Sequence, residues 1–491
     1  MKVDLNYVKI CSAIAVSFLI LLPAPSPAAE VPGYRRLVEL ESSRLFTPDI
    51  LRHLASSDPA LAGRAALALG RTKDPRAEGP LAERFGDRRA PAAVRGLALY
   101  GWGLLADRTA LDPALAAAAL RDEEGAVRVA ATDAAGRIVA AKSPGSATLA
   151  EPLERAMRED LDPIVRGRAA VALAGFADLP QANQVGNAVL YAYEAERDRT
   201  VRWHEAWTLG RAFPKAPGDD RIMQGLHDPD DTIRIEFLVI AARHGEPDLA
   251  KAIDPLVHDP SWRVAEQALE AIKRLAGEPR TEHLTALPEG IVTPAPLPDE
   301  TSLPLVRPAG LGPPRKPEPA DAQLDLALNP ATSLLMTGPM PGLHPRVRIG
   351  TTKGAIVVRL YPEWAPLTVA NFLNLVDRGF YDGLRWFRIV PDFVVQTGDP
   401  QNTGDGDAGY TIPAEENPLE QRAGVISMGL NYEKDAAVRD SAGTQFYLTM
   451  SPQLHLDRSF TVFGEIESGF NVLGRLIESD KMTRVEELPP D

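Results

Sequence analysis

Val165-Arg166-Gly-Arg-Ala-Ala-Val-Ala-Leu-Ala174 is one of seven variants of a single phrase, and that repetition decides the fold of the N-terminal half. Upstream stand Leu61-Ala-Gly-Arg64-Ala-Ala-Leu-Ala-Leu-Gly70, Val94-Arg95-Gly-Leu-Ala-Leu-Tyr-Gly101 and Val127-Arg128-Val-Ala-Ala-Thr-Asp-Ala-Ala-Gly136. Downstream follow Val201-Arg202-Trp-His-Glu-Ala-Trp-Thr-Leu-Gly210, Ile233-Arg234-Ile-Glu-Phe-Leu-Val-Ile-Ala241 and Trp262-Arg263-Val-Ala-Glu-Gln-Ala-Leu269. The arginines Arg64, Arg95, Arg128, Arg166, Arg202, Arg234 and Arg263 lie 31, 33, 38, 36, 32 and 29 residues apart. A period in that range marks a solenoid, in which each repeat buries its apolar face against the next.

Each phrase has the grammar of a helix. An aspartate a few residues upstream (Asp58, Asp87, Asp122, Asp162, Asp198, Asp228, Asp259) is placed to cap an N-terminus, often with proline at the first turn. Ala and Leu then recur at i, i+3 and i+4, a stripe of small side chains that lets helices approach closely. The repeated arginines are expected to bond to the capping aspartates of neighbouring repeats; a ligand-reading row is the alternative. Trp203, Trp207 and Trp262 interrupt the small-residue pattern and are expected to fill core. The phrases resemble HEAT-type repeats, particularly the short Asp-Pro-x-Val-Arg-x-x-Ala-Ala kind. That resemblance implies an all-α solenoid of about seven repeats over residues 30–276.

Residues 277–345 read as a connector. From Pro279 to Pro345 there are 15 prolines in 67 residues, which forbids regular helix or central strand and favours an extended spacer. Leu324 to Leu335 is more apolar and is expected to dock on a neighbouring domain. At the N-terminus, Lys2 and Lys9 precede the apolar run Ile10 to Leu22, then Pro23-Ala-Pro-Ser-Pro-Ala-Ala29. This is the pattern of a signal peptide over residues 1–29, cleaved after Ala28 or Ala29. The run is too short for the ~20 residues of a spanning helix. An exported, periplasmic or secreted protein with no membrane span after cleavage is expected. Cys11, the one cysteine, would leave with the signal.

Composition narrows the chemistry. The chain has 491 residues, 45% hydrophobic and 24% charged, as in ordinary globular proteins. Its 67 acidic and 53 basic residues give a net charge of −14, which argues against nucleic acid or an anionic membrane as partner. A lone cysteine excludes disulfide scaffolds, cysteine-built zinc sites and iron–sulfur clusters. Eight scattered histidines lack metal-ligand spacing, so neither metal nor cofactor is expected.

From Arg346 the texture changes. Val347-Arg-Ile349 and Ala355-Ile-Val-Val-Arg-Leu360 alternate around the turn Gly350-Thr-Thr-Lys-Gly354. Pro362 to Arg378 reads as an amphipathic helix with Val369, Phe372, Leu373 and Val376 on one face. Several short strands follow, then a second helix expected from Phe470 to Glu478. Many short strands and few helices point to a β-barrel.

Five phrases in unbroken order then carry a second resemblance. They are Leu360-Tyr-Pro-Glu-Trp-Ala-Pro-Leu-Thr-Val-Ala-Asn-Phe372, Gly379-Phe-Tyr-Asp-Gly-Leu384, Trp386-Phe-Arg-Ile-Val-Pro-Asp-Phe-Val-Val-Gln-Thr-Gly-Asp-Pro400, Gly443-Thr-Gln-Phe-Tyr447 and Phe460-Thr-Val-Phe-Gly464. Together they resemble the cyclophilins, a family of peptidyl-prolyl isomerases. The resemblance implies a closed eight-stranded barrel with two helices over residues 346–488. It places the catalytic arginine at Arg388. It places the substrate groove at Phe393, Val394, Gln396, Gly404, Gln445, Tyr447, His455, Leu456 and Phe460. His455 stands where an aromatic, commonly tryptophan, is usual. Phe387 stands for histidine, and Leu430 for an asparagine whose backbone contacts substrate. The loop Gly429 to Ala442 is longer than usual, with Asp435, Arg439 and Asp440 at the groove rim.

These residue types suit the reaction. An X–Pro amide rotates spontaneously over a barrier of ~18–20 kcal/mol, because twisting breaks its resonance. Twisting also returns a lone pair to the prolyl nitrogen. A guanidinium beside that nitrogen donates to the twisted state alone, which is selective binding of the transition state. The expected function is an exported peptidyl-prolyl cis-trans isomerase that assists protein folding. Its substrates would be proline-containing polypeptides, and the solenoid would bind clients or a protein partner. The rival readings are a scaffold whose barrel binds proline peptides with little turnover, and a chaperone acting through the solenoid.

Overall fold

A computed structural model describes residues 33–276 and 344–489, apart from Pro391, Lys434 and Asp435. The expected signal peptide, the Leu324–Leu335 segment, nearly all of the Pro-rich connector and Asp435 lie outside the described residues. The chain divides into two compact parts, one helical and one strand-rich.

In the helical part, the seven phrases fall on seven helices: α1 (Pro59–Thr72), α2 (Ala92–Gly103), α3 (Gly125–Ala140), α4 (Pro163–Leu173), α5 (Arg199–Ala212), α6 (Asp231–His244) and α7 (Trp262–Leu275). Each packs on the next and on a helix that precedes it. The small-residue stripe explains the closeness. A Cβ on Gly70 of α1 would overlap the Gly101 backbone of α2, so only glycine fits where these two helices meet. Trp207 is buried, whereas Trp203 and Trp262 are half-buried and fill core only in part.

The capping expectation needs correction in detail. Asp58, Asp162 and Asp198 accept helix N–H bonds as N-caps. Asp122, Asp228 and Asp259 instead sit two residues before the caps Glu124, Asp230 and Ser261, and accept the N–H of the cap residue itself. Asp160 and Glu196 hold the equivalent place ahead of Asp162 and Asp198. Asp87 bonds Arg89, and Pro91 precedes α2 without a side-chain cap. The acid two residues before the cap is also what the repeated arginines reach. Arg95 bonds Asp122, Arg128 bonds Asp160, Arg166 bonds Glu196, Arg202 bonds Asp228 and Arg234 bonds Asp259. Arg64 turns the other way, to buried Glu41. Five of the seven arginines thus act structurally, stitching their repeat to the next.

Glu205 departs from the pattern. It occupies the turn of α5 where α4 has Ala169, and only 1% of it is exposed. Its Oε2 has no hydrogen-bond partner. Burial, with Glu196 adding, pushes its carboxyl from the ordinary 4.5 up to about 9. The native chain then keeps a proton that the unfolded chain releases above the ordinary value, so stability falls as pH rises through that window. Glu205→Gln is expected to raise the melting temperature more at pH 8 than at pH 5, checked by thermal unfolding at both.

The second part is one antiparallel sheet of eight strands plus a two-stranded hairpin. The strands are β1 (Arg346–Thr351), β2 (Gly354–Leu360), β3 (Arg388–Val390), β4 (Val394–Thr397), β5 (Val425–Met428), β6 (Tyr432–Glu433), β7 (Ala436–Ala437), β8 (Phe446–Thr449), β9 (Val462–Ser468) and β10 (Met482–Leu488). The order is β10-β1-β2-β9-β5-β8-β4-β3, with β6 pairing β7 apart from it. The ends of the sheet meet. Gly383 N donates to Met482 O at 2.7 Å, Met482 N to Leu384 O at 2.9 Å and Trp386 N to Asp480 O at 3.2 Å. These bonds bring the chain ahead of β3 onto the start of β10.

Helix α8 (Pro366–Asp377) covers the barrel core, with Val369, Phe372, Leu373 and Val376 buried as the spacing predicts. Phe372 meets Phe446 and Phe463 with ring centroids 5.3 Å apart in each case. Its N-cap, Ala365, has no side-chain bond to give. Buried Glu415 substitutes from afar, accepting from Leu367 N at 3.2 Å and Thr368 N at 2.8 Å. The second helix is shorter than expected: α9 spans only Phe470–Leu473, and the chain then turns at Gly474. Among the described residues no helix is long and apolar enough to cross a membrane.

Candidate active site

Strand alternation puts two apolar surfaces back to back on β4 and β8. Val395, Phe446 and Leu448 point into the barrel core. Val394 and Tyr447, on the opposite face, belong to a separate cluster with Leu456 and Phe460. Phe393, Leu430 and Ala437 pack against that second cluster. The apolar pocket therefore lies on the outside of the barrel, floored by residues one position out of phase with the core.

Register then delivers the polar groups. Arg388 of β3 pairs with Gln396 of β4, and Gln396 pairs with Tyr447 of β8. Residues directly opposite in antiparallel strands share a face, so arginine, glutamine and tyrosine form one row beside the pocket. Arg388 Nη1 donates to Gln396 Oε1 at 3.2 Å, and its guanidinium carbon lies 5.5 Å from the Phe393 ring centroid. Gln396 Nε2 donates to Gln445 Oε1 at 3.1 Å. Gln445 Nε2 in turn donates to the Gly404 and Gly406 carbonyls, at 2.8 and 3.0 Å. A continuous chain of bonds thus runs from the exposed arginine to the glycine loop.

That loop is fastened by Asp399, which sequence reasoning quoted within a phrase but did not assign. Its carboxylate accepts from Gln401 N at 2.6 Å, Thr403 N at 2.8 Å and Gly404 N at 2.5 Å. Burial pushes its pKa up, but the N–H groups of Gln401, Gly404, Thr403 and Gly406 outweigh burial and hold it below the ordinary value. A Cβ on Gly406 would overlap Asp399 Oδ1, so glycine is needed where the loop closes over its anchor. The Asp-x-x-x-x-Gly pattern of Asp399 to Gly404 after a strand is the available signal.

The departures from the family phrases have structural answers. His455 stacks on Phe393, ring centroids 5.5 Å apart and planes 18° from parallel, so an aromatic slab is retained. Phe387 lies under the glycine loop, within 3.5 Å of where a Gly404 Cβ would stand. Leu430 packs on both the core and the pocket cluster. Arg439 and Asp440 anchor the long loop: Arg439 lies 3.4 Å from Glu416, and Asp440 Oδ1 accepts from Ala414 N at 2.7 Å. Of the residues placed in the groove by resemblance, Val394, Tyr447, Leu456 and Phe460 form the cluster and Phe393 packs on it; Gln396 lies in the row, Gly404 in the bordering loop, and His455 and Gln445 are joined to these through Phe393 and Gln396. Ala437 and Tyr432 join them without having been singled out.

The sequence profile of the family described as cyclophilin type peptidyl-prolyl cis-trans isomerase/CLD matches residues 346–489. Peptidyl-prolyl cis-trans isomerase B of Bacillus subtilis is 44% identical over 132 residues, which are 26% of this chain and 88% of that protein. The chain belongs to the cyclophilin-type peptidyl-prolyl isomerase family. The peptidyl-prolyl cis-trans isomerase of Synechococcus elongatus is 40% identical over 138 residues, 28% of this chain and 91% of that protein. A solved cyclophilin-type isomerase of Cryptosporidium parvum is 26% identical, covering 30% of this chain and 99% of its own, with a TM-score of 0.28. The isomerase domain is thus the strand-rich part, and in the bacterial relatives it makes up nearly the whole protein. Among the described residues of this cyclophilin no group of three or more His, Cys, Asp or Glu is placed to hold a metal ion.

Proposed function

We propose that the barrel rotates X–Pro bonds by donating from the Arg388 guanidinium to the prolyl nitrogen as the amide twists. The observation that carries this reading is the placement of Arg388, bonded through Nη1 to Gln396 and poised over Phe393 at the edge of an apolar pocket. Phe393, Val394, Tyr447, Leu456 and Phe460 would take the proline ring. Gln396 and Gln445 hold the guanidinium on the side where the amide must lie. Binding the ring stabilises ground and twisted states alike, whereas the guanidinium bond exists only once the nitrogen is pyramidal. Removing the guanidinium tests this: turnover should fall while affinity for a proline peptide is largely retained, and unchanged turnover would refute it.

The helical array, a HEAT-like solenoid on this reading, recruits polypeptide clients and brings their prolines to the groove. In its support, five of the seven repeated arginines are consumed in stitching repeats together, and among the described residues no acid–base or nucleophilic set converges there. A second binding module raises the local concentration of a client proline, up to the mM range for a suitable linker. Full-length protein and residues 344–489 alone are expected to turn over a short peptide equally, whereas refolding of a proline-limited protein is faster with the full chain. Equal rates on both substrates would count against recruitment. An extracytoplasmic location follows from the pattern over residues 1–29, and removal of Cys11 would leave a chain without thiols, suited to an oxidising space.

A further inference from the structure

The long loop after β5 carries a hairpin that the isomerase chemistry leaves unused. Tyr432 pairs with Ala437 across β6 and β7. Residues directly opposite in an antiparallel pair share a face, so Tyr432 lies on the same face as Ala437. Leu430 and Ala437 pack on the proline-pocket cluster, so this face is turned to the groove. Tyr432 meets Phe460 with centroids 6.4 Å apart and planes at 35°, and Phe460 meets Tyr447 at 5.8 Å. Yet 59% of Tyr432 is exposed, so much of its surface stays open beside the pocket.

The stem of the hairpin is fixed rather than loose. Val438 N donates to Asn431 O at 2.8 Å, and Asn431 N to Ser441 Oγ at 2.9 Å. Asp440 holds Ala414 N, and Ile412 N donates to Ala442 O at 2.7 Å. Tyr432 is therefore presented from an anchored base, as a wall continuing the pocket beyond Phe460.

We propose that Tyr432 forms a recognition subsite for the residue flanking the target proline, selecting an aromatic or large aliphatic side chain there. This rests on the prolyl-isomerase reading of the groove. An apolar side chain emerging from the pocket would cover Tyr432 together with Phe460, and aromatic pairs gain beyond the area they bury. A glycine or charged residue at that place gains little from the wall.

The test compares wild type, Tyr432→Phe and Tyr432→Ala on two peptide series. One varies the residue before proline and the other the residue after it, each through Phe, Leu and Gly. Both kcat/KM and peptide Kd are measured. Wild type and Tyr432→Phe should favour Phe over Gly in at least one series, and Tyr432→Ala should reduce that ratio by roughly three- to tenfold. A ratio that changes by less than about twofold in both series, or a wild type without the preference, overturns the proposal. Should no peptide be turned over, the isomerase reading falls, while the Kd ratios still decide the subsite. Tyr432 is largely exposed, so its replacement should leave the fold intact, checked by far-ultraviolet circular dichroism.

Discussion

Arg388→Ala should lower kcat/KM for a proline tetrapeptide by about 10²–10³, the usual loss when one preorganised transition-state donor is removed. The loss should fall on kcat. Arg388 is exposed on a short strand and contributes nothing to the barrel core, so the folded state should survive. The pocket floor of Val394, Tyr447, Leu456 and Phe460 would remain to bind the proline ring. A variant with native circular dichroism and near-normal turnover would remove Arg388 from the chemistry.

Asp122→Ala should destabilise the helical array by about 3–5 kcal/mol, the range for removing one partner of a buried ion pair. Arg95 and Asp122 are 3% and 7% exposed. Arg95 Nη1 donates to Asp122 Oδ2 at 2.7 Å, and Nη2 to Oδ1 at 3.0 Å. Asp122 also accepts from Glu124 N at 3.0 Å, so its loss frees the entry to α3 as well as stranding a guanidinium. Replacing both partners by apolar residues, Arg95→Met with Asp122→Leu, should cost much less. Urea unfolding followed at the helical signal distinguishes the two, and equal losses would mean that the pair is not what matters. Burial pushes the Asp122 carboxyl up, but Arg95 and the Glu124 N–H hold it below its ordinary value. The folded group thus has the lower pKa. Its contribution is complete above the ordinary carboxylate range and is lost as pH falls through the depressed native value.

Local periodicity made some of this legible. The seven Arg phrases sit on seven helices because spacing and small residues report directly on helix packing. The apolar face of α8 followed from the same rule. What escaped was set by pairing between distant segments. The bond from Arg95 to Asp122 is as expected, but Asp122 stands two positions ahead of the cap instead of at it, where it faces the preceding repeat. Glu415 caps a helix nearly fifty residues away, which no local signal encodes. The groove residues could be placed only by likeness to known phrases, since an outward-facing pocket and an inward-facing core share one alternation. Tyr432 lay in the loop where that likeness lapses.

The most direct measurement is two-dimensional exchange spectroscopy on an Ala-Pro-containing peptide, with the full chain at a small fraction of the peptide concentration. Cis–trans exchange cross-peaks should appear with wild type and vanish with Arg388→Ala at equal peptide binding. Peptide resonances that shift on binding to wild type, with no acceleration of exchange, would make the barrel a proline-binding scaffold and contradict the assignment of catalysis to Arg388.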